Sequence, residues 1–388
     1  MRAEVRMARI VEAIGRYRTG RISCLGAAEL LGMSERHFRR LRDRYEAEGA
    51  EGIIDRRRGR ASGRRAPVDE IEWVIEAFAT KYYDFNVKHF HEEISKRGFG
   101  RSYTWTKLVL HRAGLARSAP RRSAHRKKRQ RRPLPGMMLF QDASTHAWLP
   151  SGPPLDLVAT MDDATSEVLS LFLVEQEGTA SSFRGLRETI ERQGLFSSLY
   201  TDRGSHYFLT PKVGERVAKD QLTQVGRALQ ELGVQHIPSY SPEARGRMER
   251  LWETLQGRLP PVLRQEAIAT LEAANRFLEE VYRPEHNARF AVAAEEEGTA
   301  FVPFVGDLEA ILCAKHRRTV GNDNTVRYQN LVLQIPEQVH RRHYVRVEVE
   351  VREHMTGAIS LFHGPRRLAD YRPDGTLIQK EGPTRSAA

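Results

Sequence analysis

The 388-residue chain reads as multidomain, all-α at its N-terminal end, α/β in the middle and all-β at its C-terminal end. Three observations predict this order. Up to about residue 115, apolar residues recur at spacings of three and four, as on helices. From about residue 137, short apolar runs that end in acids alternate with helical stretches, and beyond about 317 apolar and polar residues alternate between turn signals. A reversal of charge marks the middle boundary. Arg117 to Arg132 holds nine Lys/Arg and no acid, whereas from Pro133 to Phe183 there is no Lys or Arg but seven acids, Asp142, Asp156, Asp162, Asp163, Glu167, Glu175 and Glu177. The expected units are 1–55, 66–116, a basic linker at 117–133, a core at 134–290 and a small β unit at 315–375.

In the first unit Val5, Ile10, Val11 and Ile14 mark one helix, and AAELLGMSERHFRRLRDRYEAEG reads as helix, turn and helix. Gly32 and Met33 make the turn, and Ser34 caps the second helix. Phe38, Leu41 and Tyr45 face inward, leaving Arg36, Arg39, Arg40 and Arg42 on the other faces, the layout of a helix that enters a major groove. The second unit repeats the pattern, with Asp69 capping a helix through Ile71, Val74, Ile75 and Phe78, and Ser102 or Thr104 capping one through Leu108, Val109 and Leu110. Two such units grip a longer DNA site than either alone. His89 and His91, with no cysteine nearby, read as surface or packing residues. The linker, including Arg126, Lys127, Lys128 and Arg129, is too charged to bury a core and is expected to lie on phosphates without fixed shape.

The middle region gives the strand-like runs MMLFQD, LDLVATMDD and VLSLFLV, a helix over Thr179 to Arg192, a fourth run LFSSLYTD, a helix over Gln221 to Leu232 and a fifth run VQHIPS. Three strands in meander followed by alternating helix and strand is the order of a ribonuclease-H-like core. Asp142 and Asp202 each end an apolar run. SYSPEARGRMERLWETLQGRL then places Glu249 near the start of an amphipathic helix, behind a loop that Ser241, Pro242 and Gly246 make mobile. Met248, Leu251, Trp252, Leu255 and Leu259 form its buried stripe. Three carboxylates drawn together repel by several kcal/mol unless a divalent cation joins them, and an all-oxygen set with no Cys or His suits Mg²⁺ or Mn²⁺. Asp162 and Asp163 compete for the first position but read as a turn leaving the second strand. Glu253, four residues from Glu249 on one helix face, competes for the third.

In order, QDAST, MDDATSEVL, LYTDRGSHYF and YSPEARGRMERLWETLQGRL resemble the core of the integrase-type transposases, most closely the ISNCY-type insertion-sequence family, and the resemblance runs over nearly the whole chain. It implies a catalytic and metal-binding triad of Asp142, Asp202 and Glu249 holding two metal ions, with Arg203 and Arg247 beside two of the acids as phosphate contacts or plain ion-pair partners. It also implies a polynucleotidyl transferase that binds terminal repeats, nicks the DNA ends and joins the 3′-OH to target DNA as a dimer or larger assembly. The interval from Asp202 to Glu249 is longer than such cores usually have, because of the polar stretch TPKVGERVAKD at 210–220. The runs TVRYQNLVLQIP, YVRVEVEVRE, AISLFHG and RRLADYRP predict a small antiparallel β-barrel, which in integrase relatives binds DNA.

Composition agrees with a nucleic-acid partner, since 62 Lys+Arg against 50 Asp+Glu leaves a net charge of +12. Cys24 and Cys313 match no metal-ligand or disulfide spacing, which reads as intracellular and excludes a zinc knuckle. No apolar run is long enough to span a bilayer, so the expectation is a cytoplasmic, nucleoid-associated protein. Two other classes remain, a DNA-binding regulator with a dead core and a ribonuclease acting on RNA–DNA hybrids.

Overall fold

The computed structural model describes residues 2–54, 65–117, 129–209, 221–240, 242–338 and 340–378. The chain divides into two compact units, Met1–Trp73 and Val74–Ala388.

The first unit holds α1 (Arg2–Arg18), α2 (Cys24–Leu30) and α3 (Glu35–Glu48). Ile10, Ile14, Ala27, Phe38 and Leu41 share one core. The hydroxyls of Ser23 and Ser34 cap α2 and α3 by accepting from the amides of Gly26 and His37. Gly32, at φ 62°, makes the turn between them, in a region that an L side chain rarely adopts.

α4 (Val68–Thr80) leads into the second unit, followed by α5 (Val87–Lys96) and α6 (Tyr103–Arg112). Of the two caps considered for α6, Ser102 is the one used, accepting from the Trp105 amide. Phe78 packs edge-on against Phe90 with ring centroids 5.0 Å apart, joining α4 to α5.

The core is a five-stranded sheet in the order β3-β2-β1-β4-β5. β1 (Leu139–His146), β2 (Leu155–Asp162) and β3 (Val168–Val174) form the antiparallel meander. α7 (Thr179–Gln193) carries the chain across to β4 (Ser198–Thr201), parallel to β1, and α8 (Gln224–Glu231) leads to β5 (Gln235–Pro238), parallel to β4. Phe183, Leu186, Ile190, Val225 and Leu229 cover one face with α7 and α8. The other face is covered by α9 (Pro242–Gln256), α10 (Leu259–Gln265) and α11 (Leu271–Phe277), through Met248, Leu251, Trp252, Leu255 and Leu263. A π-helical turn, Leu278–Tyr282, joins α11 to α12 (Arg283–Phe290). Helices on both faces explain why β2 is buried at every position, its polar Asp156, Thr160 and Asp162 included.

After the short α13 (Leu308–Ile311), the C-terminal region corrects an expectation. In place of a closed barrel over 315–375 there are two open sheets. One is β11-β10-β9-β6, built from β6 (Ala314–Thr319), β9 (Glu348–Glu353), β10 (Ile359–His363) and β11 (Arg366–Tyr371); the other is the hairpin β7 (Thr325–Tyr328) with β8 (Leu331–Gln334). They share one core around Val326, Leu333, Val351 and Leu361. Strands of four to six residues share this core in two sheets that do not close on each other. No helix among the described residues is long and apolar enough to cross a membrane.

Candidate active site

β1 and β4 run side by side, with Phe140 opposite Tyr200 and the two rings in edge contact at 5.5 Å. Asp142 and Asp202 each lie two residues further on, and the two-residue period of β1 puts Asp142 on the face covered by α9. Asp142 is 9 % exposed within β1, and its Oδ2 accepts a hydrogen bond from Trp252 Nε1 at 3.0 Å. Asp202 follows the last residue of β4, and its Oδ1 accepts from the Gly204 amide at 2.8 Å, which folds DRGS into a tight turn.

The opposite face of β1 fixes this strand from behind. Gln141 is fully buried and donates to Thr160 Oγ1 at 3.1 Å and to the Ser182 carbonyl at 3.3 Å, while accepting from the Tyr207 hydroxyl at 3.0 Å. Ser170 completes the cluster by donating to Thr160 at 2.8 Å. α7 approaches this closely because residue 185 is glycine. A Cβ there would stand 2.5 Å from Gln141 Nε2. Burial, reinforced by the negative charge of Glu177 and then of Asp142 and Asp202, holds the Tyr207 hydroxyl well above its ordinary range, so it stays a donor.

α9 is tied to the core at three places. Trp252 reaches Asp142, Gln256 donates to Ser144 Oγ at 3.0 Å, and Arg247 pairs with Asp163. Glu249 is exposed and lies one turn before Trp252. It is the eighth residue of a helix that starts at Pro242, so its expected place at a helix start behind a loop is corrected. Gly246 lies inside the helix; its cost of about 1 kcal/mol is outweighed by burial of Met248, Leu251, Trp252 and Leu255. Ser241 and the stretch 210–220 lie outside the described residues. Among the described residues no three carboxylate, His or Cys side chains close into one cation-holding group.

The competing acids are otherwise engaged. Asp162 accepts from the Gly136 amide at 2.8 Å and from both the amide and hydroxyl of Thr165, although burial raises its pKa against these bonds. Asp163, fully buried, holds Arg129, Arg247 and the Arg132 amide. This bears on two expectations. Of the two readings open for Arg247, the ion pair is the one seen, with its side chain 14 % exposed. The end of the basic linker has a fixed place, with Arg131 also donating to the carbonyls of Asp163 and Ala164. Arg126, Lys127 and Lys128 lie outside the described residues. Arg203 is exposed beside Asp202, its guanidinium 5.2 Å from the centre of the Tyr240 ring.

On α3, Arg36, Arg39 and Arg40 are exposed, and Arg39 pairs with Glu35 at 2.7 Å. Arg42 differs from them, because Asp43 and the Tyr17 hydroxyl hold it against its own unit. The apolar stripe of α9 counts Trp252 as core and misses its bond to Asp142. The signal was available, since a buried indole N–H requires an acceptor. Nothing in the residue pattern reveals the Gln141 cluster.

Residues 26–70 match a family described as winged helix-turn helix. The putative transposase y4bF of Sinorhizobium fredii is 29% identical over 358 residues, covering 90% of this chain and 77% of that protein. The transposase for insertion sequence IS1202 of Streptococcus pneumoniae is 26% identical over 352 residues, covering 81% and 75% respectively. Among solved structures, an intasome of simian T-cell lymphotropic virus aligns over 80% of this chain and 99% of its own at TM-score 0.32 and 14% identity. The HTLV-2 integrase catalytic core domain, in complex with magnesium, aligns over 38% and 89% at TM-score 0.28 and 16% identity. Over most of its length the chain is similar to insertion-sequence transposases, and its residues 26–70 match a winged helix-turn helix.

Proposed function

We propose that the chain is a DNA transposase that binds the terminal repeats of an insertion sequence, nicks the DNA ends and joins the 3′-OH to target DNA by phosphoryl transfer. What supports this is the register of β1 and β4, whose paired residues Phe140 and Tyr200 stand two residues before Asp142 and Asp202, with Trp252 of α9 bonded to Asp142. A buried and a half-buried carboxylate on neighbouring segments of the sheet suit a hard divalent cation, Mg²⁺ or Mn²⁺, proposed as a pair of ions because one scissile phosphate has an attacking and a leaving oxygen to serve. Asp142, Asp202 and Glu249 are the proposed ligands. When bound, such cations supply activation of the attacking oxygen and charge relief on the leaving one.

The chain's own residues hold this geometry. Trp252 fixes the rotation of the Asp142 carboxylate, Gly204 fixes that of Asp202, and the Gln141 cluster keeps β1 from shifting. Arg203 is the remaining candidate to meet a phosphate beside the site. Reading of terminal repeats falls to α3. Processing two ends together calls for at least a dimer on the nucleoid DNA. The two open C-terminal sheets add a further proposed DNA contact.

Purified protein is expected to nick and join terminal-repeat duplex with Mg²⁺ or Mn²⁺, while Asp142→Asn retains binding and loses at least about a hundredfold in both steps. Robust cleavage in EDTA, or by Asp142→Asn, ends this reading. A second test separates the basic groups. Arg36→Ala with Arg40→Ala should reduce preference for the terminal repeat over random duplex, whereas neutralising Arg126 to Lys128 should weaken binding to all DNA. Equal losses on both duplexes from both variants would remove the distinction.

A further inference from the structure

A cavity of about 380 Å³ lies between α5 and the α10 to α12 segment, away from Asp142 and Asp202. Its size falls in the range of small-molecule sites. Phe85, Tyr282 and Phe290 contribute ring surface, and the imidazoles of His89 and His286 line it with them. The His89 ring stacks on Phe85 at 4.3 Å, and the His286 ring lies 4.7 Å from Phe290. Both histidines are more than nine-tenths buried. Their Nδ1 atoms, together with Nε2 of Gln265 in the same wall, have no hydrogen-bond partner. Leaving a buried polar atom without a partner is destabilising.

The charges say what kind of ligand fits. Lys96, Arg258 and Arg289 line the cavity against Glu93, Glu266 and Glu285, so the wall carries no net charge. Arg258 and Arg289 are both committed to Glu92. Burial, with Arg258 adding, lowers both imidazoles to a pKa of about 4, so each is neutral near pH 7 and offers one donor and one acceptor. Neutral walls, ring faces and mixed donors and acceptors suit a flat, uncharged heterocycle better than a phosphate, a metal ion or an aliphatic chain.

We propose that this cavity is a nucleobase pocket, taking the base either of an unpaired nucleotide in DNA or of a free nucleoside. Recognition would combine ring stacking with hydrogen bonds to the base edge, the way proteins hold a base taken out of its stack. Gln265, His89 and His286, which line the cavity, would supply its polar contacts.

The test uses the full chain and three probes, namely a duplex with 2-aminopurine opposite an abasic site, the same duplex with 2-aminopurine paired to thymine, and free adenosine. The cavity is filled by Val262→Phe and its polar wall removed by Gln265→Leu, with thermal melting to show that each variant folds. Quenching of the unpaired 2-aminopurine and at least tenfold tighter binding than to the paired duplex, both lost in Val262→Phe and reduced in Gln265→Leu, would assign the pocket to an unpaired base in DNA. Adenosine binding in calorimetry, lost in the same variants, would assign it to free nucleosides. If wild type shows neither, or if folded Val262→Phe keeps what wild type shows, the proposal is overturned. The paired duplex reports separately on DNA binding. Its failure to bind while adenosine is still captured would count against the transposase reading and leave the pocket standing.

Discussion

Glu249→Gln is expected to lower both nicking and strand transfer by at least about a hundredfold, with DNA binding and thermal stability retained, while Glu253→Gln stays near wild type. Both glutamates are exposed, so neither exchange disturbs the core. What separates them is their direction around α9. Trp252 and Gln256 both contact β1, so the line midway between them points at the strand. At about 100° per residue, Glu249 lies roughly 40° from that line and Glu253 roughly 80°. The nearer one is the better partner for Asp142 and Asp202. Their charge, not their volume, is what the exchange removes, and the glutamine is isosteric. A dead Glu253→Gln beside a normal Glu249→Gln would show that α9 presents its other glutamate to the site.

Asp163→Ala should destabilise the second unit by about 3–5 kcal/mol, the cost of breaking a buried ion pair from one side. Asp163 is fully buried and receives Arg129, Arg247 and the Arg132 amide, and Arg247 is itself largely buried. Removing the carboxylate strands the Arg247 guanidinium, whose charged form burial already disfavours. Asp163→Asn keeps an acceptor and is expected to lose less. Urea denaturation reads the difference as a fall in midpoint at unchanged slope. A loss under about 1 kcal/mol would mean that these arginines are solvated as in an ordinary surface pair.

Asp142 and Asp202 are legible in the sequence because each ends an apolar run, and a strand buried on both faces leaves such a run unbroken. The meander and the two crossover helices are legible for the same reason. The start of α9 is misread because Ser, Pro and Gly are weighed as local turn formers, whereas the buried stripe from Met248 to Leu255 outweighs them over the length of the helix. The C-terminal sheets are legible as strands but not in their closure, since alternation sets which side of a strand is buried and says nothing about whether its edges meet. Asp163 is a harder case. Its neighbours in space, Arg129 and Arg247, lie far from it in sequence in opposite directions, and no local spacing announces such a pairing.

The three ties of α9 also bear on timing. A helix held at Arg247, Trp252 and Gln256 cannot slide along β1 by a turn without breaking all three contacts at once. Sliding is therefore not an available gate. Any closing of Glu249 onto Asp142 and Asp202 would then have to come from side-chain rotation, which is fast, so a reaction started by adding the cation to a preformed protein–DNA complex should begin without a lag. Any slow phase would then belong to pairing the two ends, and its rate would rise with protein concentration, as an assembly step requires.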